Sequence, residues 1–285
     1  MRITIEAAGS DTAAWIAALR AQAHGEEIQV FESGKLAAVL GAQWLDFKLR
    51  GTDVFHASPA TPRAPRNAKL TATIDDLNTK TAHRFAEKIL QHAHGLIAVS
   101  ESIRQDAIRL LGIDAEKITT IYPGIAPEFF DAKPAPRERP YVMHGGNFDT
   151  LQTAWRALKP ELQRDYDLFS ADTHTDKLPG LMAGATLFVY PAIYHGFALP
   201  VAQAMAAHVA VVTSNVSSMP EVGRDAAVMV DPHSPAEIAA GITRLLESES
   251  ERAKLARYGR ARAEKYRWEK CAEDSLAFFR RLAGA

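Results

Sequence analysis

Short apolar runs alternate with longer amphipathic segments along most of the chain. The apolar runs are rich in β-branched residues and do not alternate strictly with polar ones, which is typical of strands covered on both faces. In the first half of the chain they predict strands at residues 3–5, 28–31, 54–56, 70–74, 96–99 and 118–121. The segments between them predict helices at residues 11–23, 79–93 and 101–111, the last capped by Ser100 and ended by Gly112.

The same alternation returns after residue 140. Apolar runs predict strands at residues 141–144, 166–169, 186–190, 209–213 and 227–230. Helical periodicity predicts helices at residues 150–158, 177–183, 200–207, 235–246, 251–264 and 268–282. A repeated strand–helix–strand order predicts parallel, doubly wound sheets, so the expected fold class is α/β.

Between the two series lies a stretch with the composition of a linker. Pro127, Pro134, Pro136 and Pro140 fall close together there. A chain of 285 residues also exceeds the roughly 250 residues that a single α/β core usually reaches. We therefore expect an N-terminal domain at 1–125, a linker at 126–140, a C-terminal domain at 141–265, and a last helix at 266–285 that is a candidate to pack back on the N-terminal domain.

Composition narrows the class of protein and of partner. The net charge is −1, so the chain lacks the basic field typical of nucleic-acid-binding proteins. A single cysteine, Cys271, excludes an internal disulfide and fits a reducing compartment. Prolines and histidines interrupt the apolar region 184–212, which argues against a membrane-spanning helix. The first residues have the pattern of a strand rather than of a signal peptide, so we expect a cytoplasmic protein.

One strand–loop–helix junction has the features of an anion site. The predicted strand 186–190 is followed by Pro191, and a helix begins near Pro200, a residue type favoured in the first turn. Helix N-termini present free N–H groups and a partial positive charge that suit a phosphate. Gly196 in the loop lets the backbone approach a ligand closely. On these features alone, an ordinary junction without a ligand is the simpler alternative.

The residues of this junction and of the segment after it resemble a known signature. Residues 190–206 read YPAIYHGFALPVAQAMA, residues 211–222 read VVTSNVSSMPEV, and residues 225–232 read DAAVMVDP. Together they resemble the donor-binding signature of glycosyltransferase family 4. The strings DVFHA at 53–57 and LIAVSES at 96–102 resemble that family too, so the resemblance covers most of the chain.

The resemblance implies the GT-B fold, in which two Rossmann-like domains with parallel sheets face a central cleft. It implies that the C-terminal domain binds a nucleotide-diphosphate sugar of the UDP or GDP type. The N-terminal domain would hold a glycan, lipid-linked or small-molecule acceptor. The family implies a hexosyl transfer that retains the anomeric configuration and requires neither a metal nor another cofactor. A lipid-linked acceptor would add a peripheral contact with the inner face of a membrane.

The family signature carries two glutamates eight positions apart, one for the transferred sugar and one for the ribose. Here those positions hold His195 and Gln203. Gln203 can still bond ribose hydroxyls, because an amide both donates and accepts. His195 cannot supply a carboxylate, so it bonds a sugar hydroxyl or the diphosphate, or makes no contact. The match around them also assigns to the donor site Gly196, Phe197, Ala198 and Leu199.

The family usually places an arginine and a lysine after the first strand of its C-terminal domain. In this chain the stretch 144–150 reads HGGNFDT and contains neither. The turn formed by Gly145, Gly146 and Asn147 offers backbone N–H groups to a phosphate instead. An ordinary turn between a strand and a helix is the open alternative.

Two N-terminal residues are candidates for the chemistry of the acceptor side. His56 matches a family position near the transferred sugar, and a strand-end histidine bonded to backbone is its structural alternative. Asp75 stands where the family has a second histidine, so it is a candidate to orient an acceptor hydroxyl or to act as a base. Asp76 beside it is expected to cap a helix, and Glu221 in the C-terminal half is expected to cap a helix or to assist the nucleotide site. The predicted catalytic residues are thus His56, Asp75 and His195.

The altered positions leave a second function open. A member that lacks both glutamates and both cations is expected to bind a nucleotide or glycan and to act as the partner of an active enzyme. The N-terminal half is also locally basic, which predicts a solvated face, a peripheral membrane contact or a phosphorylated acceptor. The residues of this basic group are Arg63, Arg66, Lys69, Lys80, Arg84 and Lys88. His92 and His94 lack the spacing and partners of a zinc site.

Overall fold

The computed structural model describes residues 1–7, 10–31, 46–58, 61, 65–77, 89–135, 137–170 and 176–284. They divide into two compact units, one formed by Met1–Gly124 with Trp268–Ala285 and the other by Ile125–Arg267. Each unit contains one sheet whose described strands all pair in parallel. The predicted α/β class is confirmed.

Each predicted strand overlaps an observed one. The first sheet contains β1 (Arg2–Glu6), β2 (Glu27–Phe31), β3 (Val54–Ala57), β4 (Lys69–Ile74), β5 (Gly95–Ala98) and β6 (Ile118–Thr120). The second contains β7 (Tyr141–His144), β8 (Asp167–Phe169), β9 (Leu187–Tyr190), β10 (Val211–Ser214) and β11 (Val228–Val230). Helices run at α1 (Ser10–Gln22), α2 (Glu101–Leu111), α3 (Pro127–Phe130), α4 (Phe148–Arg156), α5 (Pro160–Asp165), α6 (Leu178–Ala183), α7 (Leu199–Ala206), α8 (Met219–Gly223), α9 (Pro235–Glu247), α10 (Glu249–Ala263) and α11 (Trp268–Ala283).

The strand order of the first sheet contains one reversal. The order is β2-β1-β3-β4-β5-β6, so the chain moves outward from β1 to β2 and then returns to the other side of β1. The crossover connections between parallel strands are right-handed. The helices before and after such a reversal therefore lie on opposite faces of the sheet. Ligands of open α/β sheets bind at this topological switch point, beyond the carboxyl ends of the two strands. In the first unit the switch point lies between β1 and β3.

The second sheet has the same plan. Its order is β11-β10-β9-β7-β8, so the reversal lies between β7 and β9. Helices α4 and α9 pack against each other over a core that contains Val142, Val189 and Val212. Helix α7 packs against β9, β10 and α10.

The last helix of the chain belongs to the core of the first unit. Helix α11 packs along α1, and its Phe278 and Phe279 are buried with Ile5 and Val54. Fully burying one such aromatic side chain contributes about 1.5–3 kcal/mol. The sheet of the first unit is therefore covered in part by residues about 150 positions downstream of its last strand.

Capping confirms one predicted helix. Ser100 Oγ accepts the N–H of Ile103 at 3.1 Å, and Gly112 ends α2 in a left-handed conformation with φ +64°. The predicted helix 79–93 lies mostly outside the described residues. Within its described end, Leu90–His92 form a single 3₁₀ turn.

The proline-rich stretch 126–140 contains a short helix rather than irregular chain alone. Helix α3 begins at Pro127 and buries Phe129 and Phe130 within the second unit. Helices α5 and α8 also have proline in their first turn, and the periodicity of the sequence does not predict them. Each spans at most six residues, which is less than two turns of a 3.6-residue period.

Two absences hold for the part of the chain that the structure describes. None of its helices combines the length and the apolar content that a membrane span requires. No three histidine, cysteine, aspartate or glutamate side chains among these residues converge as ligands of a metal ion.

Candidate functional site

The switch point of the second unit brings two predicted segments into contact. Gly146 follows β7 with φ +79°, and a Cβ there would stand 3.1 Å from the backbone nitrogen of Ala192, which follows β9. The N–H of Gly145 donates to the carbonyl of Val189 at 3.1 Å. A Cβ on Gly145 would lie 3.2 Å from the ring of Tyr190. Glycine is thus required at 146 by both conformation and space, and the backbone at this exposed position is open to a ligand.

Asn147 ties this turn to a third segment. Its Nδ2 donates to Thr150 Oγ1 at 2.8 Å and to the carbonyl of Pro232 at 3.3 Å. Both hydrogens of the side-chain amide are therefore used within the protein. The structure gives Asn147 the role of holding the loop after β7 to the residues after β11, and its predicted ligand contact stays a prediction.

His144 and Phe148 flank the glycine turn, and the sequence patterns did not single them out. Their rings stack with centroids 5.1 Å apart and an interplanar angle of 21°. Phe148 is 44% exposed, which is unusual for a large apolar side chain. His144 Nδ1 is buried and has no hydrogen-bond partner, and burial lowers the pKa of this histidine. In the sequence, the signal that could have identified the pair was an aromatic residue on either side of the GGN turn.

His195 lies in the loop between β9 and α7 and is bonded at both backbone and side chain. Its Nδ1 accepts the N–H of Ala198 at 2.9 Å. Its backbone N–H and carbonyl bond Ser217 Oγ at 3.2 and 3.0 Å, and Ser218 Oγ donates to the same carbonyl at 2.7 Å. The half-buried ring meets that of Tyr190 edge-on at 5.9 Å. The loop after β9 is thereby fastened to the loop after β10.

The other residues predicted around His195 divide into buried and accessible ones. Phe197 is buried, with its ring 5.1 Å from that of Tyr266, so it anchors the loop. Ala198 is fully buried with φ +56°, and its N–H is used by His195. Gly196 and Leu199 remain half-buried at the start of α7.

Gln203 lies on the accessible side of α7. It is half-buried, as is Leu199 four positions earlier, whereas Val201, Ala202 and Ala204 are fully buried. Residues four apart share a helix face, so Gln203 and Leu199 lie on the same partly exposed face. The predicted ribose contact is therefore sterically available on this helix, close to its N-terminus.

The loop after β10 completes the surroundings. Ser214 Oγ, at the carboxyl end of β10, is buried without a hydrogen-bond partner. Glu221 lies in the first turn of α8, the position for which capping was predicted. Ser218 precedes that helix, but its hydroxyl donates to His195 rather than capping. The Arg262 guanidinium donates to the carbonyls of Glu221 and Val222 and so satisfies the end of α8.

A groove of about 500 Å³ lies elsewhere in the second unit. It is lined by Thr186 and Val209, which precede β9 and β10, and by Arg252 of α10. The guanidinium of Arg252 is occupied by the carbonyls of Leu245 and Leu246 at the end of α9. The groove therefore lies at the amino edge of the sheet, opposite the switch point.

In the first unit, His56 is built into the core. Its Nδ1 lies 3.0 Å from Thr71 Oγ1, and its Nε2 lies 3.1 Å from Thr73 Oγ1. The rings of Trp15 and Phe279 approach it edge-on at 4.9 and 5.8 Å. Burial lowers the pKa of His56 from 6.5 to about 3, so the ring is neutral near pH 7. The ring therefore bonds threonine hydroxyls, and not the backbone groups expected for a structural histidine at a strand end.

Glu6 is a second buried polar residue at this switch point, and sequence reasoning missed it. It ends β1 and is 2% exposed. Its Oε2 accepts the N–H of Ser58 at 3.1 Å, the Ser58 hydroxyl at 2.9 Å and the Thr61 hydroxyl. Its Oε1 has no hydrogen-bond partner. The signal available in the sequence was a charged residue at the end of an otherwise apolar strand. Charged residues are rarely buried unless they are paired, so such a position indicates a bonded polar group.

Asp75 lies away from the switch point. It follows β4, which is separated from β1 by β3. The residue is exposed as a whole, but the partial burial of its carboxyl raises the pKa of Asp75. The neighbouring Asp76 adds to that rise by like-charge repulsion. The helix that Asp76 was expected to cap lies in residues outside the described range.

Two family models match the chain, and together they cover both units. The model "Glycosyltransferase Family 4" matches residues 7–129, and the model "Glycosyl transferases group 1" matches residues 141–262. The second match contains the glycine turn after β7, the loop with His195, and Gln203.

Two curated relatives and one solved structure extend the comparison. The O-antigen chain mannosyltransferase B of Escherichia coli is 27% identical over 74% of this chain and 68% of its own length. The MMP alpha-(1->4)-mannosyltransferase of Mycolicibacterium hassiacum is 35% identical over 39% of this chain, but only 28% of its own length is matched. The structure of Anabaena HepE in complex with UDP has a TM-score of 0.74 at 13% identity and covers 98% of this chain and 99% of HepE. The chain is therefore a member of glycosyltransferase family 4 with the GT-B fold.

Proposed function

We propose that this chain transfers a hexosyl group from a nucleotide-diphosphate sugar to a glycan, lipid-linked or small-molecule acceptor, with retention of configuration. The observation that carries the proposal is the contact of Gly146 with Ala192, because it lines the switch point of the second unit with backbone. Mannose is the proposed sugar, since two of the relatives are named mannosyltransferases. The family relation supports a UDP- or GDP-type donor, and HepE was solved with UDP.

In this proposal the leaving diphosphate is stabilised mainly by the backbone. The stretch 144–150 contains no arginine or lysine. The backbone at the exposed Gly146 and the partial positive charge at the start of α7 would face the negative charge that develops as the sugar departs. Gln203, on the same face of α7 as Leu199, would bond the ribose hydroxyls.

On the acceptor side we propose Asp75 as the group that orients a hydroxyl. Its raised pKa brings a carboxylate closer to the range in which it accepts a proton at neutral pH. For His56 we propose a supporting role at the end of β3, since both ring nitrogens already have hydroxyl partners. A nucleotide-sugar donor also favours a cytoplasmic location, with contact at the inner membrane face where the acceptor is lipid-linked.

A second candidate is a non-catalytic member of the family that binds the nucleotide or a glycan and acts as a partner of an active enzyme. The observation that favours it is the pair of altered positions, with His195 and Gln203 where the family signature has glutamates. Binding through backbone N–H groups would survive these changes, while a carboxylate contact to the sugar would not.

The test combines binding with turnover. The purified chain is titrated with UDP, GDP and ADP by isothermal calorimetry and then incubated with the corresponding hexose donors while nucleotide release is followed. We expect UDP or GDP to bind and GDP-mannose or a UDP-hexose to be turned over, with faster release when a mannoside acceptor is added. Binding without release or transfer would favour the non-catalytic candidate. Absence of all nucleotide binding would contradict the proposed transferase and the nucleotide-binding form of the second candidate.

A further inference from the structure

One residue fixes the loop between β9 and α7 from three directions. The ring of His195 accepts the N–H of Ala198, and its backbone N–H and carbonyl are both bonded by serines after β10. Two of the residues that bond His195, Ala198 and Ser217, both have φ +56°. This left-handed conformation is uncommon for residues with a Cβ and persists only where surrounding contacts hold it.

The hydrogen bond to Ala198 has no substitute in the loop. Ala198 is fully buried, so in the native structure its N–H depends on the histidine ring for its hydrogen bond. Ala198 also precedes the first residue of α7, and its carbonyl accepts the N–H groups of Val201 and Ala202. A buried donor left without an acceptor is costly, so losing Nδ1 would unsettle the first turn of the helix.

We propose that His195 is a positioning residue, and that its Nδ1 fixes Ala198 and thereby the N-terminal turn of α7 against the nucleotide. The inference rests on the proposed function, because it assigns a role within the proposed donor site. The position that supplies a sugar-binding carboxylate in the family signature supplies an internal hydrogen-bond acceptor here. The neutral ring that accepts at Nδ1 carries its proton on Nε2.

Two substitutions separate this role from direct contact with a substrate. Asparagine places an amide oxygen near the position of Nδ1, whereas glutamine reaches the position of Nε2. We expect His195→Asn to keep the Kd for UDP or GDP within about threefold of the wild-type value. We expect His195→Gln and His195→Ala to raise that Kd about tenfold, which is the effect of losing one buried hydrogen bond.

His94 provides a matched control in the other unit. Its Nδ1 also accepts a backbone N–H, that of Leu70, at 3.1 Å. His94→Gln removes the same kind of bond and is expected to leave the Kd for the nucleotide unchanged. Thermal melts of all five proteins confirm that each variant is folded before its affinity is compared.

The opposite ranking overturns the inference. If His195→Gln binds like the wild type and His195→Asn binds about tenfold more weakly, Nε2 contacts the ligand. The bond from Ala198 to Nδ1, called the brace below, is then not the function of His195. Equal losses for both variants also overturn it. If the wild-type chain binds no nucleotide, the proposed function fails, and amide hydrogen exchange at Ala198 decides the inference. Protection in the wild type and in His195→Asn, with loss in His195→Gln, supports the brace, and equal protection in all three contradicts it.

Discussion

The two units have switch points with the same topology and opposite construction. In the first unit, the junction of β1 and β3 is filled by side chains, because Glu6 bonds the residues after β3 and His56 is enclosed by aromatic rings. In the second, the junction of β7 and β9 is lined by the backbone of Gly146 against Ala192. A junction filled with bonded side chains adds stability, whereas one lined with backbone leaves N–H groups for an anionic ligand.

The difference shows that a histidine near the carboxyl end of a strand has no fixed role. His56 is 5% exposed with both ring nitrogens bonded to threonines, so removing it should damage the fold. His195 is half-buried in a loop and bonds the backbone that precedes a helix, so removing it should damage binding.

The largest effect is expected from His56→Ala. The substitution opens a cavity between Trp15 and Phe279 and removes the bonds of the ring to the Thr71 and Thr73 hydroxyls. We expect the free energy of unfolding to fall by about 3 kcal/mol, measured by urea denaturation. His195→Ala should lower it by about 1 kcal/mol. A stable His56→Ala protein that had lost only its turnover would instead make His56 a catalytic residue.

Acid should destabilise the first unit through the same histidine. The pKa of His56 is lowered from 6.5 to about 3 by burial, so in that pH range the unfolded chain binds a proton that the native chain does not. The free energy of unfolding should therefore fall by about 1.4 kcal/mol per pH unit as the pH drops below 6.5, in addition to the effect of other groups. His56→Gln removes this contribution. Parallel pH dependences for wild type and His56→Gln between pH 6.5 and 4.5 would contradict the buried, neutral state.

Gly146→Ala tests the backbone-lined junction, and Gly112→Ala is its control. Both glycines have positive φ, but a Cβ at 146 meets the backbone of Ala192 at 3.1 Å, while one at 112 meets nothing within 4 Å. Gly112→Ala should cost about 1 kcal/mol of stability through its positive φ, and Gly146→Ala should cost more because its Cβ also meets backbone. Only Gly146→Ala should weaken nucleotide binding, by about tenfold in calorimetry. Equal affinities for the two variants would place the nucleotide elsewhere.

The smallest effect is expected from Gln203→Ala. Loss of the proposed hydrogen bonds to ribose should raise the Kd for the nucleotide about fivefold, with little change in stability because the side chain is half-buried. Gln203→Glu restores the residue type of the family signature and should bind at least as tightly as the wild type. If removing the 2′-hydroxyl of the nucleotide raises the Kd by the same factor for the wild type and for Gln203→Ala, the ribose assignment is wrong.

The repeated strand–helix pattern was sufficient to predict both sheets, because strands covered on both faces produce uninterrupted apolar runs. Helices α3, α5 and α8 escaped prediction because each is too short for its periodicity to stand out from the prolines that begin it. The signature at 190–232 also predicted which family the chain belongs to, as the family matches at 7–129 and 141–262 confirm.

The roles of individual residues were harder to predict, for physical reasons. The burial of His56 depends on Phe279, which is contributed by a helix more than 200 positions away in sequence. The bond from Ala198 to His195 depends on a left-handed residue that is not glycine, a conformation that the sequence does not signal. Neither environment is encoded near the residue whose role it determines.

Hydrogen–deuterium exchange with and without saturating UDP or GDP tests the central claim most directly. The account predicts slower exchange on binding at residues 145–150 and 192–203, which surround the switch point of the second unit, and no change in β3, which is already buried. Protection confined to the first unit, or absent from both loops of the second, would contradict the placement of the donor site between β7 and β9.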